Sequence, residues 1–367
     1  MFAATSSIRT NKPVCWWRKF FIELIIFAYN LDYIVKTYII KKLSETDKSQ
    51  LFDFYRKVYS NISKSFITNL KWYYRIGYNN FEPIVIIVEN KIIGHAGLIP
   101  GDIESQNKIY PIIWFTDFII LPEYRTKGYG KILTEEWMKI CPHQITFCNN
   151  LSLKVFKKLK WKSNLLTSRN IYPINYFNLA PVIKNFGLNI GNNLIRYFLK
   201  KKLNNQKLIN PIKISETLIQ DIVNSKENSE NTTPNIVRDI GWFRWRLIET
   251  PYKNNIYFFE NNGEFIIGHV FYQDNLKRLN ILYTNILDSD KDIFEKVIKW
   301  SIENQVDFIW HVTTGLKNSN SFFSMFFKKK LNFAFNTSNT ILAVSLEKGL
   351  NNVQGIDSDI DYILRDR

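Results

Sequence analysis

The chain has 367 residues, of which 46% are hydrophobic and 16% aromatic, and its formal net charge is +16 at pH 7. This apolar content excludes an intrinsically disordered chain, and the length exceeds a typical domain of about 100 to 200 residues, so two globular domains are expected. The charge leaves two interpretations open. It is either a lysine-rich solvated surface or a field that attracts nucleotide-bearing cofactors, nucleic acid or acidic lipid headgroups.

The N-terminal extension, residues 1–37, contains one amphipathic pattern. Apolar side chains recur at helical spacing within residues 16–30, beside Arg18 and Lys19. This pattern fits a helix that packs on its own domain, or a helix that makes peripheral contact with a membrane surface. The apolar run from Phe20 to Tyr29 is shorter than the roughly 20 residues of a spanning helix, so no transmembrane segment is predicted.

The three cysteines, Cys15, Cys141 and Cys148, have no CxxC spacing and an odd count. This usage suggests neither a zinc site nor a disulfide framework, so no metal is expected and a reducing, cytoplasmic location is predicted.

Three short segments recur later in the chain, in the same order and at offsets of 171 to 174 residues. They are Lys42–Thr46 with Lys213–Thr217, Trp72–Arg75 with Phe243–Arg246, and Ile92–His95 with Ile266–His269. We therefore predict two copies of one domain, at residues 38–181 and 209–348. A basic helical linker at 182–208 joins them, and a tail at 349–367 follows.

Each copy is expected to be α/β or α+β, with a mixed central sheet flanked by helices. Ser44 and Ser215 are predicted to cap the first helix of their copies. In the first copy, Ile84 to Val88 and Ile92 to Leu98 have the pattern of a hairpin, and Ile112 to Leu121 that of a long buried strand. A proline then ends the strand.

A glycine loop, Pro122 to Gly130, lies between this strand and the predicted helix Lys131 to Ile140. The order strand, glycine loop, helix suits an anion site, because glycines let the backbone approach a diphosphate and the first helical amides meet the charge. Arg125 and Lys127 would add charged contacts. The spacing differs from a P-loop and from a dinucleotide fingerprint.

The segment Ile119 to Gly130 resembles the acetyl-coenzyme A signature of the Gcn5-related N-acetyltransferase (GNAT) family. A second element follows the strand Gln144 to Cys148 and resembles a further pattern of that family at Asn149, Ser152, Phe156, Lys158, Leu159 and Trp161. The resemblance covers Tyr38 to about Trp161. With the repeat, it implies two tandem GNAT-like acyl-CoA N-acyltransferase domains, of which the second is degenerate.

What the resemblance implies can be assigned to positions of this chain. Acetyl-CoA would be the co-substrate, the strand ending at Ile120 would splay from its neighbour near Ile145, and an amide near Ile119 would serve as oxyanion donor. The implied cofactor-binding residues are Phe118, Ile119, Ile120, Arg125, Thr126, Lys127, Gly128, Tyr129, Gly130, Asn149, Ser152 and Phe156.

Asp117, on the last strand before the loop, is the candidate catalytic base, and Thr116 is the alternate. A structural aspartate, held by local hydrogen bonds or facing away from the cleft, is the other interpretation. Phe156 stands where many relatives carry a tyrosine that protonates the leaving thiolate, which weakens the expected mechanism. Lys160 stands where a glycine is usual.

The second copy lacks the loop. Its expected cofactor strand, Leu279 to Leu287, leads into Asp288–Asp292, where three carboxylates would repel a pyrophosphate. His95 and His269 follow the same glycine in the two copies, and a catalytic role is one interpretation of this match. Because the second copy lacks the cofactor loop, a shared structural role is expected, and the same is expected of Arg75 and Arg246. Core or interdomain packing is expected for the tryptophans Trp72, Trp242 and Trp245, and stacking against a carbohydrate acceptor is the alternative.

The sequence therefore predicts an N-acetyltransferase that acts on a primary amine of a small acceptor, with an amino sugar of polysaccharide synthesis favoured. The alternatives are a tRNA-dependent aminoacyltransferase of the FemABX type and a non-catalytic acyl-CoA-binding protein. No Asp or Glu occurs from Trp137 to Ser215, so an anion is expected to face that stretch. Nucleic acid is not the expected partner, since no recognition motif accompanies the charge. The oligomeric state is left open.

Overall fold

The computed structural model describes residues 37–58, 67–175, 203, 206–224, 234–273, 275–286, 292–314, 327–348, 350, 353 and 357. The amphipathic pattern at residues 16–30 lies outside the described residues. So do most of the predicted linker at 182–208 and most of the predicted tail at 349–367.

The described residues form a mixed sheet of twelve strands. In chain order these are β1 Tyr38–Lys42, β2 Ile84–Val88, β3 Lys91–Ser105, β4 Lys108–Ile120, β5 His143–Cys148, β6 Lys162–Pro173, β7 Asn235–Ile236, β8 Ile256–Asn261, β9 Glu264–Gln273, β10 Leu276–Thr284, β11 Phe308–Thr314 and β12 Phe327–Thr337.

Eight α-helices flank the sheet within the described residues. They are α1 Lys48–Val58, α2 Leu70–Tyr73, α3 Tyr129–Lys139, α4 Asn150–Lys158, α5 Glu216–Asn224, α6 Ile240–Phe243, α7 Asp292–Glu303 and α8 Thr340–Lys348. A π-helical segment, Arg244–Ile248, extends α6.

The strand order is β1-β2-β3-β4-β5-β12-β6-β11-β10-β9-β8, and β7 pairs with β3 off this path. The pairs β4–β5 and β10–β11 are parallel, and the other neighbours are antiparallel. Strands β2 to β6 thus have the same sequence of pairings as β8 to β12. This equivalence supports the two-copy interpretation of the repeat.

The two copies exchange their last strands. Strand β12 of the second copy pairs with β5 of the first, with Asn332 opposite Cys148 and Thr337 opposite His143. Strand β6 of the first copy pairs in turn with β11 of the second. Because β6 and β12 also pair with each other, one continuous sheet crosses both copies. The domain limits at residues 181 and 209 stay a prediction.

Apolar cores cover both faces of the sheet. On one face α3 buries Leu133 and Trp137 against β2 to β4, and α7 buries Phe294 and Val297 against the second copy. On the other face α1, α2 and α8 share one core with β3 and β4, while α5 and α6 cover β8 to β10. The central sheet flanked by helices, expected from the sequence, is confirmed.

The predicted cap at Ser44 is wrong. Ser44 lies inside a short 3-10 turn, Leu43–Glu45, and Asp47 instead accepts hydrogen bonds from the amides of Ser49 and Gln50 at 2.8 and 3.1 Å. An aspartate at this position satisfies the first amides of α1 as well as a serine would. In the second copy Ser215 accepts from the Leu218 amide at 3.2 Å, as predicted.

Among the helices that the structure describes, none is long and apolar enough to cross a membrane.

Candidate active site

The glycine loop lies between the end of β4 and the start of α3. A 3-10 turn, Pro122–Tyr124, follows the strand, and the Arg125 side chain then donates from Nε to the carbonyl of Ile120 at 3.0 Å. Part of the guanidinium therefore fastens the loop to the strand. Thr126 has a φ of 66°, which is left-handed backbone in a residue other than glycine. The loop is thus held in one bent conformation.

Gly128 is the residue that caps α3, with a φ of 85°. A Cβ added there would meet nothing within 4 Å, and at Gly130 the nearest atom would be Cγ1 of Ile120 at 3.8 Å. The space in front of the first turn of α3 is therefore open. The first amides of a helix have no acceptor within the helix, and they point along its positive dipole end. The residues present fit a diphosphate at this position.

The side chains of the loop divide into exposed and buried groups. Arg125, Thr126 and Lys127 are exposed, whereas Tyr129 is buried and packs edge-on against Tyr124. The Lys127 ammonium lies 5.2 Å from the Tyr124 ring centre. Tyr129 thus anchors the helix to the core, and the lysine remains available to an anion from solvent.

Strands β4 and β5 separate next to this loop. Their ladder contains the pairs Ile113–Gln144 and Trp114–Ile145, and the described residues show no pair beyond them. The Thr146 hydroxyl then donates to the carbonyl of Phe115 at 2.9 Å, in place of a ladder bond. The predicted splay is therefore confirmed. Beyond the last pair, Phe118 of β4 is 40% exposed, whereas Ile120 is buried.

Asp117 lies at a bulge in β4. The register with β3 shifts between the pairs Ile119–His95 and Thr116–Gly97, so Asp117 and Phe118 together oppose Ala96. Asp117 has a φ of 47°, which is unfavourable for a residue with a side chain. Its half-buried carboxylate turns toward the face covered by α1 and α2. Thr116, the alternate candidate, is buried just before the bulge.

Two tyrosines hold the Asp117 carboxylate. The hydroxyls of Tyr73 and Tyr74 donate to Oδ2 at 3.3 and 3.1 Å, and both side chains are buried. The backbone of Asp117 has a separate contact, because its carbonyl lies 3.1 Å from Nδ1 of His95. The other ring nitrogen of His95 lies 3.1 Å from the Tyr55 hydroxyl.

Sequence reasoning did not identify Tyr55, Tyr73 or Tyr74 as part of the site. Tyr73 and Tyr74 belong to the repeated segment Trp72–Arg75. The repeat suggested only a packing role for that segment. Their distance along the chain from Asp117, more than 40 residues, gave no sign of contact. Tyr55 is buried on α1, where its position in the apolar pattern resembled that of a core residue.

Part of the second predicted element, Asn149 to Trp161, stabilises the local fold. Asn149 caps α4, and its Oδ1 accepts from the Ser152 amide at 2.8 Å. Phe156 is half-buried and packs on Trp161, with 4.5 Å between ring centres. Lys160 has a φ of 65°, which explains why glycine suits that position, since the turn from α4 to β6 needs left-handed backbone.

The exchanged strand reaches this end of β5. Asn332 of β12 donates from Nδ2 to the carbonyl of Cys148 at 3.2 Å and to Oδ1 of Asn150 at 2.9 Å. The second copy therefore supports the segment at the start of α4, although it lacks the loop.

The described cysteines are poorly suited to act as nucleophiles. Burial raises the pKa of Cys148 to about 11 and that of Cys141 to about 11. Both thiols are therefore protonated at neutral pH.

The residues that correspond to this site in the second copy differ in type. Residues 287–291, with most of the predicted acidic loop, lie outside the described residues, and α7 begins at Asp292 with a carboxylate in its first turn. His269 is buried among aromatic rings, with Tyr252 and Phe271 at 5.5 and 5.1 Å. Burial, assisted by the charge of Arg278, lowers the pKa of His269 to about 3.

The tryptophans expected to pack do so where the two copies meet. Trp72 and Trp245 lie 6.3 Å apart between ring centres, and Trp242 lies 5.0 Å from Trp245. Arg75 and Arg246 place their guanidinium groups 4.9 and 3.9 Å from the Trp245 ring. These arginines and tryptophans form one packed group.

Comparison with known proteins matches part of the chain to a family model and most of it to known structures. Residues 48–161 match the Acetyltransferase (GNAT) family. Saccharomyces cerevisiae N-myristoyltransferase with bound myristoyl-CoA and inhibitors is similar in structure, with a TM-score of 0.58 at 14% identity, over 82% of this chain and 80% of that chain. A GCN5-related N-acetyltransferase from Kribbella flavida is similar with a TM-score of 0.50 at 9% identity, over 84% of this chain and 73% of that chain. No curated protein matches.

Proposed function

From the premise that residues 48–161 form a domain of the Acetyltransferase (GNAT) family, we propose that this protein transfers an acyl group from acyl-coenzyme A to a primary amine. The observation that carries the proposal is the open space in front of Gly128, at the start of α3 and beside the splayed end of β4. Acetyl-CoA is the donor we propose, and the exposed residues of the loop would bind its phosphates.

Asp117 is the base in the proposed reaction. The acceptor enters as an ammonium ion and loses one proton to the carboxylate, directly or through a water molecule. The neutral nitrogen then attacks the thioester carbon, and the backbone amides of β4 near Ile119 stabilise the oxyanion. When the intermediate collapses, the C–S bond breaks, the nitrogen loses its second proton, and the thiolate takes up a proton from solvent.

The proposed acceptor is a small-molecule amine, and an amino sugar is the first class to test. The proposed location is the cytoplasm, in line with cysteines that lack disulfide spacing. A second donor deserves a direct comparison, because the similar N-myristoyltransferase binds myristoyl-CoA. A long acyl chain would need an apolar channel, so the relative affinities of the two donors report the size of the acyl pocket.

Calorimetric titration with acetyl-CoA and with myristoyl-CoA tests the proposal. We expect the wild-type protein to bind acetyl-CoA, and Gly128→Glu to abolish binding because the new carboxylate fills the open space with like charge. Gly263→Glu is the matched control, since Gly263 has a φ of 83° and equally open surroundings in the second copy. The control should bind as the wild type does.

Other results would contradict the proposal. No binding of either donor, or equal binding by the wild-type and Gly128→Glu proteins, rejects the acyl-CoA site. Binding without transfer to any amine favours a non-catalytic acyl-CoA-binding protein. Aminoacyl transfer from charged tRNA without acyl-CoA would favour the FemABX-type alternative.

A further inference from the structure

His95 is a buried histidine with a partner on each side of its ring. It lies on β3, opposite Ile119, with Nδ1 at 3.1 Å from the Asp117 carbonyl and Nε2 at 3.1 Å from the Tyr55 hydroxyl. The side chain is completely buried. It thus connects α1, through Tyr55, to the bulge that carries the candidate base.

The two contacts together select one tautomer of His95. A backbone carbonyl can only accept a hydrogen bond, so Nδ1 must carry the proton. In the neutral ring Nε2 is then an acceptor, and the Tyr55 hydroxyl donates to it. Tyr55 therefore favours the tautomer that can bind Asp117.

The contact with His95 lies at a strained point of the backbone. Asp117 has left-handed φ, and a bulge removes the regular ladder partners of its strand. Such a conformation persists only where surrounding groups fix it. His95 supplies one of these groups from a side chain, at the carbonyl of the strained residue itself.

The packing next to His95 requires a glycine at position 97. A Cβ on Gly97 would lie 3.1 Å from Cε1 of His95 and 2.9 Å from Cε1 of Tyr74. Both distances are shorter than ordinary van der Waals contact. The glycine thus lets the histidine and the tyrosine that contacts Asp117 pack closely against the same strand.

We propose that His95 is a positioning residue for Asp117, and this inference rests on the proposed function. By holding the carbonyl of Asp117, His95 keeps the bulge in the conformation that directs the carboxylate toward the acceptor. Tyr55 fixes the tautomer that this contact needs. His95 itself takes up no proton in the reaction.

His269 provides an internal comparison. It follows the equivalent glycine and is also buried next to aromatic rings, but its partners in the sheet are Asn280 and Ile256. No glycine loop follows its neighbouring strand within the described residues. We therefore expect His269 to have a structural role only.

Two substitutions at position 95 separate the contacts. In His95→Asn the amide group can reach the place of Nδ1 and donate to Asp117, whereas in His95→Gln the amide reaches the place of Nε2 and contacts Tyr55. We expect His95→Asn to keep kcat near the wild-type value. We expect His95→Gln to lower kcat on the order of 10- to 100-fold, the usual effect of a misplaced catalytic group. The affinity for acetyl-CoA should not change in either variant.

His269→Gln is the matched control and should leave kcat unchanged. Circular dichroism and thermal denaturation of each variant confirm that the protein is folded. Wild-type kcat in His95→Gln, or equal losses of kcat in His95→Asn and His95→Gln, would overturn the inference.

A second measurement does not depend on turnover. Nitrogen-15 NMR of the imidazole in the wild-type protein should show Nδ1 protonated at neutral pH, and Tyr55→Phe should increase the other tautomer. An Nε2-protonated ring in the wild type overturns the assignment whether or not the protein binds acetyl-CoA. Failure of the wild type to bind any acyl-CoA, with the Nδ1 tautomer present, rejects the proposed function and leaves the contact with Asp117 established.

Discussion

Trp72 and Trp245 exchange a reciprocal pair of hydrogen bonds. The indole Nε1 of each donates to the backbone carbonyl of the other, and both distances are 2.7 Å. The two residues belong to the repeated segments of the two copies, 173 positions apart. The segment match had aligned Trp72 with Phe243, whereas the structure pairs it with Trp245. This symmetric contact joins the copies at a second place, in addition to the exchanged strands.

The reciprocal pair predicts a coupling energy between Trp72 and Trp245. Trp72→Phe and Trp245→Phe each remove one indole donor, and with it the hydrogen bond to the carbonyl of the other residue. We expect each substitution to lower the unfolding free energy by about 1 to 3 kcal/mol. Because the two residues are in contact, the loss of unfolding free energy in the double variant should be smaller than the sum of the losses in the two single variants, by about 0.5 kcal/mol or more. Urea denaturation of the four proteins measures the cycle.

Trp161→Phe is the control for ring contraction. The described residues contain no acceptor for the Trp161 indole nitrogen, so this variant loses ring contacts but no hydrogen bond. Strict additivity of the Trp72 and Trp245 losses would contradict the coupling.

Asp117 should govern turnover and not donor binding. Asp117→Asn keeps the size of the side chain and can still accept from Tyr73 and Tyr74, but it cannot take up the proton of the acceptor. We expect kcat to fall by about 10² to 10⁴, the usual contribution of general base catalysis. Steady-state kinetics and calorimetry with acetyl-CoA measure the two effects. An unchanged kcat would remove Asp117 as the base.

A buried ion pair joins Arg238 to Asp357. Arg238 donates from Nε to Oδ1 of Asp357 at 2.7 Å, and both side chains are almost completely buried. Burial alone would lower the pKa of Arg238, but the charge of Asp357 raises it above its ordinary value. Asp357→Ala leaves a buried cation without its partner, so we expect a loss of about 3 to 5 kcal/mol in unfolding free energy.

Two further variants qualify this prediction. The double variant Arg238→Met with Asp357→Leu should recover part of the loss, because no charge is then buried. Glu347→Ala breaks the exposed pair with Lys162 and should cost less than about 1 kcal/mol. Equal losses of unfolding free energy in Asp357→Ala and Glu347→Ala would contradict the prediction that burial increases the cost of breaking the ion pair.

The buried histidines His269 and His311 should make stability depend on pH. Burial lowers the pKa of each to about 3, with Arg278 contributing at His269, whereas the unfolded chain has the ordinary value near 6.5. Below pH 6.5 the unfolded state binds the protons, so stability falls as pH decreases. From pH 7 to pH 5 we expect a loss of about 2 kcal/mol for each histidine.

Urea denaturation at pH 7 and pH 5 checks this dependence. His269→Gln and His311→Gln should each be less stable than the wild type at pH 7 but lose less between the two pH values. A wild-type stability that does not change from pH 7 to pH 5 would contradict the burial of neutral rings.

The loop and its flanking elements could be predicted because their signals are local. A glycine at position 128 indicates positive φ, and the apolar residues that follow it recur at helical spacing. The splay could be predicted only through the family resemblance, since the divergence of β4 from β5 depends on no single residue of either strand. The orientation of Asp117 could not be predicted, because a bulge breaks the alternation from which a strand's faces are assigned.

The sequence by itself determined the loop from Arg125 to Gly130, the repeat, and the absence of that loop from the second copy. These features depend on residue types within short segments. Only the tertiary structure decided that β12 pairs with β5 of the first copy and that Trp72 contacts Trp245. It also decided that Tyr73 and Tyr74 contact Asp117, and that Tyr55 contacts His95. Each of these contacts joins segments far apart in the chain, where packing and hydrogen bonding select among pairings that local propensity leaves equivalent.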